Sequence, residues 1–198
     1  MGCDIHGLIE VDWYATFPGE KEENDWRTAV DNLGYLVGRS YDSFGCLFGV
    51  RNYVGMEPVA EGKGVPDSLS SRAEERVDDN RDWCHSFSYV TYEELQKVDW
   101  EEEGRRDDSR IRKYVDGDLV GKASIWGNLS TEQAEQIREG ENLKEQQDDG
   151  TIVEYKVERE KRRDCLSGAW EWLIFELMDI LAEKFGSENV RLVVWFDN

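Results

Sequence analysis

The segment Val190 to Phe196 constrains this chain more than any other stretch. It reads as a strand that is apolar on both faces, and such a strand is stable only where neighbours cover it above and below. It is therefore expected in the middle of a sheet. The residues before it supply one cover. From about Cys165 to Lys184 the set Leu166, Ala169, Trp170, Leu173, Leu177, Ile180 and Leu181 follows helical spacing, and Gly186 suits a left-handed C-terminal cap. This helix is expected to pack on the sheet.

Earlier segments add strands and shorter helices. Residues 4 to 14 alternate, with Ile5, Ile9, Val11 and Trp13 on one face and Asp4, His6, Glu10 and Asp12 on the other, the pattern of a half-buried strand. Trp26 to Val37 reads as extended, and the apolar run Phe44, Cys46, Leu47, Phe48 and Val50 as a short buried helix. Residues 52 to 82 combine proline, glycine and charge and read as a long ordered loop. Strand character returns at Trp83 to Val90, after which Thr91 and Glu94 form a capping box that opens a helix. A second box, Ser130 and Gln133, announces a short helix inside the polar stretch 100 to 150, which reads as surface decoration. Val153, Tyr155 and Val157 then alternate with Glu154, Lys156 and Glu158 as a strand with one wet face. The expected class is α+β: a mixed sheet with the long C-terminal-region amphipathic helix packed on it. A single domain spans 1–198, with 100–150 as a surface insertion.

Charge bounds the setting. The 44 Asp and Glu against 24 Lys and Arg leave a net charge of −20, spread along the chain. Such a surface repels itself in dilute buffer, whereas molar salt shortens the screening length to about 3 Å and relieves the repulsion. A salt-adapted, halophilic protein is the expectation. The 8 Trp, 8 Tyr and 7 Phe supply material for a core and argue against disorder. No leader or long apolar span is evident, so the cytoplasm is the expected location, without a membrane partner. Cys3, Cys46, Cys84 and Cys165 form no C-x-x-C pair and are expected as free thiols. The basic runs Arg105, Arg106, Arg110, Arg112, Lys113 and Arg159, Lys161, Arg162, Arg163 sit beside acidic neighbours such as Asp107 and Asp108 and read as solvated, paired faces. A long duplex needs a continuous positive footprint, so nucleic acid is not the expected partner.

The two histidines stand in polar clusters, Cys3-Asp4 with His6 and Asp82 with Cys84-His85. Imidazole, thiolate and carboxylate are ligands for zinc or another divalent metal. Alternation puts Asp4 and His6 on one strand face and Cys3 on the other, so the metal set under consideration is Asp4, His6, Asp82 and His85. His85 is expected to share its face with Trp83, Phe87 and Tyr89, which favours a hydrogen-bonded histidine over a ligand. The Asp-x-His on a first strand also resembles the start of the calcineurin-like phosphoesterase metal site, but that family's later Gly-Asn-His and Gly-His-x-His signatures are absent. A small phosphorylated ligand would need only one or two arginines, such as Arg51 or Arg39, with amides from a glycine-bearing loop.

The opening MGCDIH, the run YDSFGCLFGVRN at 41 to 52, the stretch WCHSFSYVTYEEL at 83 to 95 and the ending VRLVVWFDN together resemble a family of uncharacterised proteins of tailed phages and archaeal viruses. The similarity skips residues 100 to 150. That family often carries further His or Trp near the second cluster, where this chain has Phe87 and Tyr89. The resemblance implies a viral accessory role, and carries over Asp4, His6, Tyr41, Arg51, Asp82, His85, Ser86, Ser88 and Asp197 as matched polar positions. The leading expectation is an accessory protein in which strand ends gather these residues around one pocket for a small polar, nucleotide-like ligand. Tyr41, Arg51, His85, Ser86, Ser88 and Asp197 would bind it, with Arg51 and His85 as donors opposite Asp4 and His6. The alternatives are a metal-dependent hydrolase on the Asp/His set, with a metal-bound water as nucleophile, and a structural or interaction protein of a virus anchored by its tryptophans.

Overall fold

The computed structural model describes residues 2–14, 25–104, 111–123, 129–139, 142–157 and 159–198. Arg105, Arg106, Arg110, Asp107 and Asp108 lie outside them. The chain forms two compact units, Met1–Glu102 with Lys161–Asn198, and Glu103–Glu160. Along the first run β1 (Asp4–Asp12), β2 (Trp26–Val30), α1 (Leu33–Val37), α2 (Tyr41–Phe48), α3 (Ser71–Asn80), β3 (His85–Thr91) and α4 (Tyr92–Gln96). The second holds β4 (Ile111–Val115), β5 (Asp118–Ala123), α5 (Thr131–Arg138), β6 (Leu143–Gln146) and β7 (Ile152–Val157). The chain then returns through α6 (Gly168–Trp172), a π-helical turn (Leu173–Leu177), α7 (Met178–Phe185) and β8 (Val190–Asp197). The class is α+β.

The first unit's sheet has the order β2-β1-β8-β3, and each pairing is antiparallel, not mixed as expected. β8 does lie inside it. Val190, Leu192, Val194 and Phe196 enter one core with Ile5, Ile9 and Val11 of β1, Phe44 and Phe48 of α2, and Trp170 and Met178 of the C-terminal helical run. Val193 and Trp195 enter a smaller core on the opposite face with Leu8, Leu69, Ala73 and Val77.

That second core corrects the reading of 52 to 82 as loop. Ser70 accepts a hydrogen bond from the Ala73 amide and caps α3, and Ala73 and Val77, one turn apart, seat the helix on the sheet. The half-buried expectation for β1 fails for the same reason: its polar face lies under α3, and Glu10 is fully buried. The extended reading of 26 to 37 holds only to Val30, since Leu33–Val37 is helical. The C-terminal run is not one regular amphipathic α-helix either. Its π turn shifts the helical phase, so Met178, Ala182 and Phe185 are buried while Ile180, expected on the apolar face, is 62% exposed.

Residues 100 to 150, expected as decoration, contribute three strands of an antiparallel sheet of order β5-β4-β7-β6 over a core of Ile111, Ala123, Ile137 and Leu143. The box at Ser130 and Gln133 is present, as is that at Thr91 and Glu94. Within the basic runs, Arg162 departs from a solvated face. It is buried and donates to the carbonyls of Cys46 and Glu57 while pairing with Glu102.

Candidate functional site

One end of the first sheet gathers most of the polar motif residues. Antiparallel register sets Asp4 opposite Asp197 and Ile5 opposite Phe196, and His85 pairs with Phe196 from the other side. Two carboxylates facing each other across a ladder repel, and each has a partner. Arg39 donates through Nε and Nη2 to the two oxygens of Asp4 at 2.8 and 2.6 Å. His6 Nε2 lies 3.0 Å from Asp197 Oδ2, and the Asp4 amide donates to Asp197 Oδ1. The hydrogen bond from Arg39 holds the Asp4 carboxyl below its ordinary range, against the opposing effect of burial. The His6 ring stacks on Trp195.

These groups border a cavity of about 460 Å³, together with Asn32, Tyr35, Arg76 and Asn80. α3 contributes Arg76 and Asn80, four residues apart and so on one helix face. Asn80 Nδ2 donates to the Arg76 carbonyl. The Arg76 Nε is shielded from solvent and has no hydrogen-bond partner. Asn32 takes a left-handed backbone at φ 58°, a conformation asparagine tolerates better than most residues. At the rim the Tyr35 ring is 93% exposed.

The other face of the same sheet end is built differently. A bulge between His85 and Ser88 shifts the register against β8 by one residue, and Ser86 sits in it at φ 52°. The extra residue turns His85 to the side of Ser88 and Val90, where its ring stacks on Phe196. This corrects the expectation that His85 shares a face with Phe87 and Tyr89, which pack against the opposite core. His85 Nδ1 lies 2.9 Å from Ser86 Oγ. Arg51, also left-handed at φ 55°, donates to Asn198 Oδ1 and lies 6.0 Å from the Tyr41 ring. The Tyr41 hydroxyl accepts from the Cys3 amide.

The nine motif residues therefore divide. Asp4, His6 and Asp197 face α3, whereas Tyr41, Arg51, His85 and Ser86 belong to the opposite side. Ser88 lies deeper, its hydroxyl donating to the Ala60 carbonyl, and Asp82 is exposed in the turn after α3. A single pocket with Arg51 and His85 opposite Asp4 and His6 is not formed, because the sheet stands between them. The set Asp4, His6, Asp82 and His85 fails as a zinc or divalent-metal site for the same reason, and among the described residues no three His, Cys, Asp or Glu are placed to hold a metal ion. Burial pushes Cys3 and Cys84 up, and the neighbouring Cys165 thiol together with burial does the same to Cys46.

Sequence reasoning missed Arg76, Asn80 and Asn32. The signal for the first two was Ser70 followed by Ala73 and Val77 at capping and helical spacing, obscured by the charge around them. The site is thus a polar cavity at the end of an antiparallel sheet in an α+β unit. No protein-family model matches this chain, and no curated protein or solved structure shows significant similarity to it.

Proposed function

We propose that this protein binds a small polar ligand carrying an anionic group, of the nucleotide or sugar-phosphate kind, in the cavity between β1, β8, α1 and α3. The observation that carries the reading is Arg76. Arg39 is committed to Asp4 and His6 to Asp197, so Arg76 is the cation of this cavity whose Nε remains shielded and without a partner. A shielded, unpaired donor on a guanidinium is costly unless an acceptor arrives. Phosphate oxygens match its planar fork. Asp197, held by His6, then offers acceptor capacity to ligand hydroxyls, and Asn32 and Asn80 offer amides. The cavity volume lies within the range of small-molecule sites. The motif resemblance supports an accessory role in a virus-infected cell.

Isothermal titration of the full chain with adenosine 5′-monophosphate, ribose 5-phosphate and orthophosphate tests this. Binding of at least one phosphorylated compound is expected, weakened about tenfold or more in Arg76→Gln, since a hydrogen bond to a charged group contributes about 1.5–3 kcal/mol. If the wild-type protein binds none of the three at millimolar concentration, the reading is wrong.

A further inference from the structure

We infer that the protein carries a second small-molecule site, on the opposite face of the first sheet, shaped for a zwitterion of amino-acid type. A cavity of about 380 Å³ lies there, bordered by Gly49, Arg51, Glu61, Gly62, His85 and Ser86. Its groups are of complementary kinds. Arg51 donates to Asn198 Oδ1 at 3.3 Å and also hydrogen-bonds the side chains of Tyr53 and Cys3, and its five-donor fork has more N–H groups than these partners use, which leaves donors for a carboxylate. The Glu61 carboxylate is folded back over Gly49, so close that a β-carbon there would stand 2.6 Å from Glu61 Oε1. An ammonium group matches it. His85 Nε2 is shielded from solvent and has no hydrogen-bond partner. With the ring proton on Nδ1, donated to Ser86 Oγ, Nε2 presents a lone pair and becomes a second acceptor for the ammonium.

The backbone supports this assignment. Four described non-glycine residues have positive φ, and two of them, Arg51 and Ser86, border this one cavity. Held strain of this kind concentrates where a side chain must be aimed. At Ser86 it forms the bulge that carries His85 to this face, and at Arg51 it closes the turn after α2. A simple anion would meet Glu61, and a simple amine would meet Arg51. A molecule bearing both charges a few bonds apart satisfies each.

Saturation-transfer NMR and calorimetry with free α-amino acids, each beside its decarboxylated amine and its deaminated acid, test the proposal. At least one amino acid is expected to bind, tenfold or more tighter than its matched amine and acid. Glu61→Gln and Arg51→Gln should each weaken it about tenfold. Glu61 is exposed, so Glu61→Gln reads the site without disturbing the core, and circular dichroism checks the fold of Arg51→Gln. Arg76→Gln should leave amino-acid binding unchanged. Absence of amino-acid binding, equal binding of the acid or the amine, or an unaffected Glu61→Gln would each overturn the proposal.

Discussion

Glu10 and Arg191 face each other across β1 and β8 with almost no access to water, at 0% and 5% exposure. Arg191 Nε donates to Glu10 Oε2 at 2.8 Å, and the guanidinium covers the Trp26 ring at 3.6 Å. The second carboxylate oxygen accepts the Ser70 amide at 2.7 Å, while Arg191 Nη2 donates to the Ser68 carbonyl. One ion pair thus ties the two central strands to the segment that starts α3. Removing one partner leaves a buried charge alone, which costs about 3–5 kcal/mol. Glu10→Gln and Arg191→Met should each lower unfolding stability by that order in urea titrations. The double variant Glu10→Leu with Arg191→Met should lose less than the sum of the two single losses.

The acid limb of stability should carry the mark of Glu94. Burial would raise its carboxyl, but the Lys63 ammonium and the Thr91 amide outweigh it and hold the group below the ordinary glutamate range. A folded pKa below the unfolded one means that the folded state binds fewer protons, so this contribution is present above the unfolded value and fades as pH falls through the folded value. Lys63→Gln should let the Glu94 pKa rise, as followed by carboxyl NMR titration. The stability lost at neutral pH should be under about 1 kcal/mol, given the partial exposure of the pair, and the difference should vanish in acid.

Excision of residues 103–160 should leave the first unit folded. The Arg162 amide donates to the Glu102 carbonyl at 2.8 Å, so the chain leaves and re-enters that unit at adjacent points, and the buried Arg162 pairs with Glu102 within it. A short Gly-Ser linker closes such a gap, and loop length weighs little on closure entropy. The shortened chain should keep a cooperative melt and its antiparallel-sheet signature in circular dichroism. A non-cooperative melt would refute this.

Salt should stabilise the protein. With 44 Asp and Glu against 24 Lys and Arg, a net charge of −20, carboxylates outnumber the cations that could pair with them, so screening removes more repulsion than attraction. Between dilute buffer and molar potassium chloride the melting temperature should rise by more than about 2–4 °C, the shift that 1 kcal/mol produces in a chain of this size. A flat response would remove the case for halophilic adaptation.

What the sequence determined by itself was whatever depends on neighbours within a turn or along one strand. The two-sided apolarity of Val190 to Phe196 demanded an interior strand, and β8 is one. Thr91 with Glu94 and Ser130 with Gln133 satisfy their own backbone groups, so both helix starts were legible. The motif residues Asp4, His6, His85 and Asp197 lie at one sheet end, divided between its two faces. Tertiary structure alone decided which face each takes and what covers it. Glu10 read as solvated because nothing local shows that α3 lies over β1. Periodicity aimed His85 to the wrong side because the extra residue at Ser86 exists only in the pairing with β8. Arg76 entered the site through a helix whose charged sequence hid the Ala73 and Val77 contacts. Alternation reports the polarity of a face, but burial depends on which element packs there, and that follows from contacts between segments far apart in the chain.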